Sequence, residues 1–290
     1  MRLLVLFGLV LFSLSPVSLA VAAPCPEASV SAGETLARAW REHEPVAAPG
    51  VEDLPAARCI QVAMVAALDD VLGPRAGWKV GLASEAVQRR FGADQPVAGV
   101  LPGDRLYPDG AELNRAFGAR PMVEADLVVR VADAAIMRAT SRREVLGHLD
   151  AVIPFIELVD LMVVPGEPLN SPVITAFNVG ARGGVLGAPV PVTEAMLESL
   201  GGMRVEVRDG GGRALGEYPG AAILGHPLDA VRWLIGELEA RGESLRAGDL
   251  LSLGSFGPPL AVDSLDGLHV RYHGLVPHAV PEVSLGLRDD

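Results

Sequence analysis

Apolar positions recur at helical spacing early in the chain. In SVSAGETLARAWREHE, Leu36, Ala39 and Trp40 share one face, which predicts a helix over 29–44 capped by Ser31 or Thr35. A second helix is predicted over 55–72, where Ile60, Val62, Val65 and Leu68 fall near one face. From residue 77 the pattern shortens into β-branched runs punctuated by Gly and Pro: WKVGL, AGVLP, VEADLVVRV, VIPFIELVDLMVV, GGVLGAPV, RVEVRD, LLSLGSF, LHVRYHG and PEVSLGL. One helix interrupts them at HPLDAVRWLIGELEARG, opened by Pro227 and closed by Gly242, with Trp233, Leu234 and Leu238 on its apolar face. No repeat, low-complexity tract or linker divides the chain. The expected architecture is α+β, one domain over 24–290, its strands too numerous for a flat sheet and rolled into a barrel-like β structure with flanking helices.

The first 23 residues break this pattern. MRLLVLFGLVLFSLSPVSLAVAA carries Arg2, an apolar run, Pro16 and small residues ending in Ala23, the form of a secretory signal peptide. Ser13, Pro16 and Ser18 interrupt it, whereas an anchor needs about 20 unbroken apolar residues. Pro24 before Cys25 does not suit a lipoprotein signal. The expectation is therefore a periplasmic or secreted protein with no membrane association after cleavage. An oxidising compartment would let Cys25 and Cys59, the only cysteines, pair. Such a disulfide closes a loop of about 35 residues and stabilises by about 3–4 kcal/mol in the chain-entropy picture; two separate buried thiols are the alternative. The net charge of -12 shows no basic patch, which argues against nucleic acid as a partner. It also means that an anionic ligand must be drawn in by local cations.

Those cations are nearly all arginine. Lys79 in GWKVGLAS is the only lysine. A lysine is a compact ammonium that gives up its proton when buried, whereas arginine is a fixed fork that stays charged. Lys79 between Trp78 and Val80 therefore suggests a point charge or proton donor in a closed site, the alternative being chance. In VEADLVV, Glu124 and Asp126 leave the same strand face about 7 Å apart. They either converge on a cation or form the wet face of an edge strand. Glu157, embedded in PFIELVD, is a carboxylate in apolar surroundings, which is costly without a partner; Asp160 is expected on the opposite, solvent-side face. Three oxygen ligands with open positions suit Mg²⁺ or Mn²⁺. The glycines of 180–187 lack phosphate-loop spacing, Ser255 lacks a nucleophile elbow, and the six histidines lack zinc spacing.

The segments GWKVGLASEAVQRRFGADQPVAGVL, MVEADLVV, IPFIELVD, AFNVGARGGVLG and GHPLDAVRWLIGELEARGESLRAGDLLSLGSF resemble, in order and spacing over about residues 30 to 287, the 2-keto-4-pentenoate hydratase family. That family, with the related 2-oxo-3-hexenedioate decarboxylases, lies within the fumarylacetoacetate hydrolase superfamily. The resemblance implies a mixed β-roll of the fumarylacetoacetate hydrolase type, a divalent metal held at Glu124, Asp126 and Glu157, and a catalytic lysine at Lys79. Asn178, Arg182 and Ser255 are the expected substrate-binding residues, Arg182 offering a fork to a distal carboxylate. The chain departs from the family pattern where Phe177 replaces an acid beside Asn178, where Val97 stands at a position acidic in some members, and where Asp126 replaces a Glu. The expected function is an exported metal-dependent lyase, a hydratase of a small 2-oxo or 2-hydroxydienoic acid of aromatic catabolism. A related decarboxylase, a carbon-carbon hydrolase and a non-catalytic periplasmic binder of metal and oxo acid are the alternatives. Apolar stretches at 151–164 and 183–190 suggest a buried subunit interface and a homo-oligomer.

Overall fold

Pro26, with φ −57°, starts the first helix two residues before the predicted boundary. In the computed structural model, which describes residues 25–289, helix α1 runs Glu27–Glu42. The proposed leader over 1–23 lies outside the described residues. Ser31 and Thr35 are not caps: both sit inside α1, where the Thr35 hydroxyl donates to Ser31 O at 3.0 Å. Helix α2 (Leu54–Ala67) is capped by Asp53, which accepts from Ala56 N at 2.8 Å, and Pro55 favours its first turn. The helix expected to reach 72 breaks at Leu68 and resumes as α3 (Asp69–Leu72). Its buried face is Ala57, Ile60, Gln61 and Met64. Val62, about 200° around the helix from Ile60, points outward and is 62% exposed. The two cysteines form a disulfide, Cα atoms 5.4 Å apart, that ties the start of α1 to α2.

The strands follow as β1 (Arg75–Gly81), β2 (Val97–Pro102), β3 (Leu106–Pro108), β4 (Ala111–Asn114), β5 (Pro121–Val131), β6 (Leu149–Asp160), β7 (Ala181–Leu186), β8 (Val190–Pro191), β9 (Arg204–Asp209), β10 (Ala214–Pro219), β11 (Leu250–Ser252), β12 (Leu260–Ala261), β13 (Gly267–His273) and β14 (Glu282–Arg288). Short helices α4 (Glu85–Arg90), α5 (Arg142–Gly147), α6 (Ser171–Ala176) and α7 (Met196–Gly202) punctuate them, and α8 (Pro227–Ala240) is the predicted long one. The larger sheet has the order β2-β1-β11-β5-β6-β7-β3, with β12 added to β5 and β8 to β6. The smaller has the order β10-β9-β13-β14-β4. Pairing is mixed: β1 with β11, β3 with β7 and β4 with β14 are parallel.

The larger sheet curls until β2 lies against β7, which gives it an inside and an outside. Alternation along each strand then sorts the residues. Outward go Trp78, Val80, Leu127, Ile156 and Leu158, which share one core with α8 and the smaller sheet. Inward go Val128, Ile153 and Phe155, which with Leu101 plug the roll with a small apolar cluster. Strand β6 is covered on both faces by its own chain, which explains its continuous apolar run. The stretch at 151–160 is thus buried within its own chain. A third cluster joins α1, α2 and the turn before β7 through Leu36, Trp40, Met64, Phe177 and Val179.

Helix α8 is anchored by an unusual cap. His226 Nδ1 accepts from Leu228 N at 3.2 Å, and its Nε2–H donates to Leu197 O at 3.0 Å, so the ring is held neutral with one tautomer satisfied. Burial lowers its pKa. Protonation would set a second N–H against the Leu228 N–H. The unfolded chain therefore takes up the proton first, and the contribution is full above the ordinary histidine value of about 6.5 and is lost as pH falls toward the lower folded value. His226→Asn keeps a capping group without titrating. The difference in Tm between the two proteins is expected to move in favour of the variant as pH drops below about 6.5, as thermal melts across pH will show.

Candidate active site

Four neighbouring strands of the roll, β1, β11, β5 and β6, bring polar and charged side chains into its interior beyond the apolar plug. Glu124 on β5 and Glu157 on β6 are direct cross-strand partners, and Asp126 lies two residues along the same face of β5. Lys79 on β1 is in register with Ser252 on β11. Its Nζ donates to Val179 O at 2.9 Å and forms an ion pair with Glu157 Oε1. The curl of the sheet makes this possible, because β1 and β6 are not adjacent. Gly99 faces Lys79 across β1 and β2; a Cβ there would stand 3.0 Å from both Lys79 Cγ and Asn178 O. Glycine makes the passage for the lysine side chain.

The turn that receives the ammonium is strained. Asn178 and Val179 have φ of 55° and 54°, a region that a β-branched residue such as Val179 rarely enters. Asn178 holds the turn in place: its Oδ1 accepts from Val100 N at 2.8 Å and its Nδ2 donates to Val100 O at 3.0 Å. Gln61 Nε2 adds a donor to Ala98 O at 2.9 Å beside it. The expected substrate ligand Asn178 thus spends both side-chain atoms on the backbone of β2.

Lys79, Asp126 and Glu157 are 3%, 0% and 1% exposed, and Glu124 beside them is half-buried, so three carboxyl groups face one ammonium. Burial pushes the Glu157 carboxyl up to about 8 and that of Glu124 up to about 7, against the opposing pull of Lys79. Asp126 is also raised by burial, although it is well solvated by the protein: Oδ2 accepts from the Ser252 hydroxyl at 2.6 Å and Oδ1 from Gly254 N at 3.0 Å and from Leu127 N. Tyr272 of β13 reaches in from the smaller sheet, accepting from Phe155 N at 3.2 Å and donating to Asp126 O.

The expected residues do not all meet here. Ser255 lies beyond the end of β11 and is folded onto its own loop, its hydroxyl donating to Gly257 O at 2.6 Å. The serine in the cluster is Ser252, fully buried, and its only sequence signal is its place on the inward alternation of LLSLGSF. Arg182 is not beside Asn178's amide; it forks onto Asp160, with Nε and Nη2 3.0 and 2.6 Å from Oδ2. Asp160 is correspondingly no solvent-side acid. It is 1% exposed and also accepts from Ala119 N and Arg120 N. Among the described residues no three acid, histidine or cysteine side chains stand as a ready-made metal cluster.

No family profile matches the chain. The 2-keto-4-pentenoate hydratase of Paraburkholderia xenovorans (strain LB400) is 32% identical over 200 residues, which cover 69% of this chain and 72% of the relative. The chain belongs to the 2-keto-4-pentenoate hydratase family. Within reach of this hydratase family is also a 4-oxalocrotonate decarboxylase of Pseudomonas putida, 29% identical over 200 residues, 69% of this chain and 74% of that one. The solved 4-oxalocrotonate decarboxylase of Pseudomonas putida G7, complexed with magnesium and adipate, superimposes with a TM-score of 0.79 at 23% identity over 90% of this chain and 98% of that chain. The expected α+β roll with flanking helices is therefore the fold observed. The expected periplasmic or secreted location is corrected: the hydratases matched are cytoplasmic catabolic enzymes, and the leading segment behind that expectation lies outside the described residues.

Proposed function

We propose that the protein is a divalent-metal-dependent hydratase of a small 2-hydroxydienoic or 2-oxo acid, working at the Lys79 cluster. The observation that carries this reading is the crowding of acids inside the roll: Asp126 and Glu157, both buried, and the half-buried Glu124 stand against one ammonium, and the pKa of each is raised, as expected of carboxyl groups that lack a compensating cation. Buried charge demands compensation, and an all-oxygen donor set suits Mg²⁺ or Mn²⁺. The donor types suit such an ion, with Glu124 and Glu157 opposed across two strands and Asp126 on the same face, although the three side chains are not gathered into a metal cluster as they stand. Glu124, Asp126 and Glu157 would hold it, Asp126 after yielding part of its hydrogen bonding. Bound there, the metal supplies Lewis acidity toward a 2-oxo acid.

The chain's own residues do the rest. Lys79, fixed by the Val179 carbonyl and the Glu157 charge, sets an ammonium where negative charge develops on the substrate and moves a proton at Nζ. Ser252 and Gly254 N–H hold Asp126 in one orientation. The apolar plug of Val128, Ile153 and Phe155 closes the roll behind the site and keeps bulk water out. Mn²⁺ titrated calorimetrically into the protein is expected to bind, to bind more tightly with oxalate, an enolate mimic, and to lose at least about tenfold in affinity in Glu157→Gln. A titration with no heat of binding would sink the metal-dependent reading.

Phe177 and Val97 favour a second reading. Both are buried and apolar on the two segments that flank Lys79, where a polar group would serve to activate water. Loss of carbon dioxide from a 2-oxo diacid needs no such group. Product analysis separates the two: a hydroxylated oxo acid for the hydratase, carbon dioxide for the decarboxylase.

A further inference from the structure

A cavity of about 450 Å³ lies on the outer side of β6, lined by Leu158 and Arg182 rather than by any member of the Lys79 cluster. Leu158 follows Glu157 directly and so faces the other side of the strand. The volume falls in the range of small-molecule sites. One wall is polar: the cations Arg182 and Arg105 with the imidazole of His43. The rest of the lining is largely apolar and aromatic, with Tyr107, Leu113 and Phe117.

The charges of this wall do not balance. Trp40 packs against both guanidinium groups, their central carbons 3.9 Å (Arg182) and 5.6 Å (Arg105) from its ring centroid. Among the described residues only Asp160 answers them, and its charge is already spent on the Arg182 fork and two backbone N–H groups. Arg105 forms no salt bridge among the described residues, its Nε is buried without a partner, and Arg182 Nη1 is likewise unpartnered. His43 Nδ1 donates to Ala116 O at 2.8 Å, and burial and the neighbouring arginines hold its imidazole below the usual range. Buried donors without acceptors are rare in folded proteins and mark a place for a missing acceptor.

We propose that this cavity is a second binding site, for a small organic carboxylate with an apolar body, its carboxylate set against Arg105 and Arg182 and its body against Leu113, Phe117 and Leu158. Two guanidinium groups present parallel donors to a carboxylate, and the apolar wall selects against bare inorganic anions. The site is independent of the chemistry assigned to the Lys79 cluster.

Benzoate serves as the probe, titrated calorimetrically into the full chain and into Glu157→Gln, Arg105→Gln and Leu113→Trp. Arg105 is the wall cation whose loss breaks no ion pair, and the Leu113→Trp indole fills the cavity without touching its charges; circular dichroism and Tm confirm that each variant is folded. Binding is expected in the full chain and in Glu157→Gln, about tenfold weaker in Arg105→Gln, and absent in Leu113→Trp. No saturable heat from the full chain up to about 10 mM benzoate overturns the proposal. So does binding that survives Arg105→Gln and Leu113→Trp unchanged, and binding that Glu157→Gln alone removes assigns the anion to the Lys79 cluster instead.

Discussion

Lys79→Met is expected to lower turnover of a 2-hydroxydienoic acid by two to four orders of magnitude, roughly the contribution of one positioned proton-transfer group. Methionine keeps the length and apolar stem of lysine, so the passage opposite Gly99 stays filled and the loss reports on the charge. Lys79→Arg is expected to fail almost as badly. The guanidinium is larger, remains protonated and fits poorly beside the Val179 carbonyl, 2.9 Å from Nζ. The assay is decay of the conjugated-diene absorbance, with Mn²⁺ and oxalate binding measured on the same preparations. Turnover equal to that of the parent protein in Lys79→Met would remove Lys79 from the mechanism. Lost turnover with metal binding intact separates its role from that of the carboxylates.

Asp160→Asn is expected to destabilise the protein by about 3–5 kcal/mol, read from urea unfolding, because it strips the buried Arg182 of its carboxylate and leaves an uncompensated charge. Both partners are 1–2% exposed at the side chain, and Trp40 covers the other side of the guanidinium. The comparison is Arg89→Ala, which breaks a pair with Glu85 whose side chains are 73% and 86% exposed and should leave unfolding unchanged. A small effect of Asp160→Asn would mean that water reaches Arg182 and that the pair resembles a surface one.

The contrast between these two acids of β6 shows how far local pattern carries. Glu157 and Asp160 sit three residues apart in one apolar run, and alternation correctly assigns them to opposite faces. It then suggests that the second face is wet. Residues of β7 and α1 cover that face instead, and nothing within the run announces Arg182 or Trp40 as its lid. Ser255 and Ser252 teach the same lesson. Both lie in LLSLGSF, but Ser252 is still in the strand and inward, whereas Ser255 has passed its end and bonds to its own turn.

The amino-acid sequence by itself determined the helical stretches with Pro and Gly at their ends, the alternating strands, the isolation of Lys79 among arginines and the family to which the chain belongs. These are properties of neighbouring residues, set by a period of 3.6 or 2 and by the backbone limits of Pro and Gly. Tertiary structure alone decided that β11 enters the sheet between β1 and β5, that the sheet curls until Lys79 spans the interior to Glu157, and that Arg182 leaves Asn178 for Asp160. Periodicity states which way a side chain points from its own strand. What it meets there depends on strands distant in the chain, whose pairing is settled by burial of the whole core.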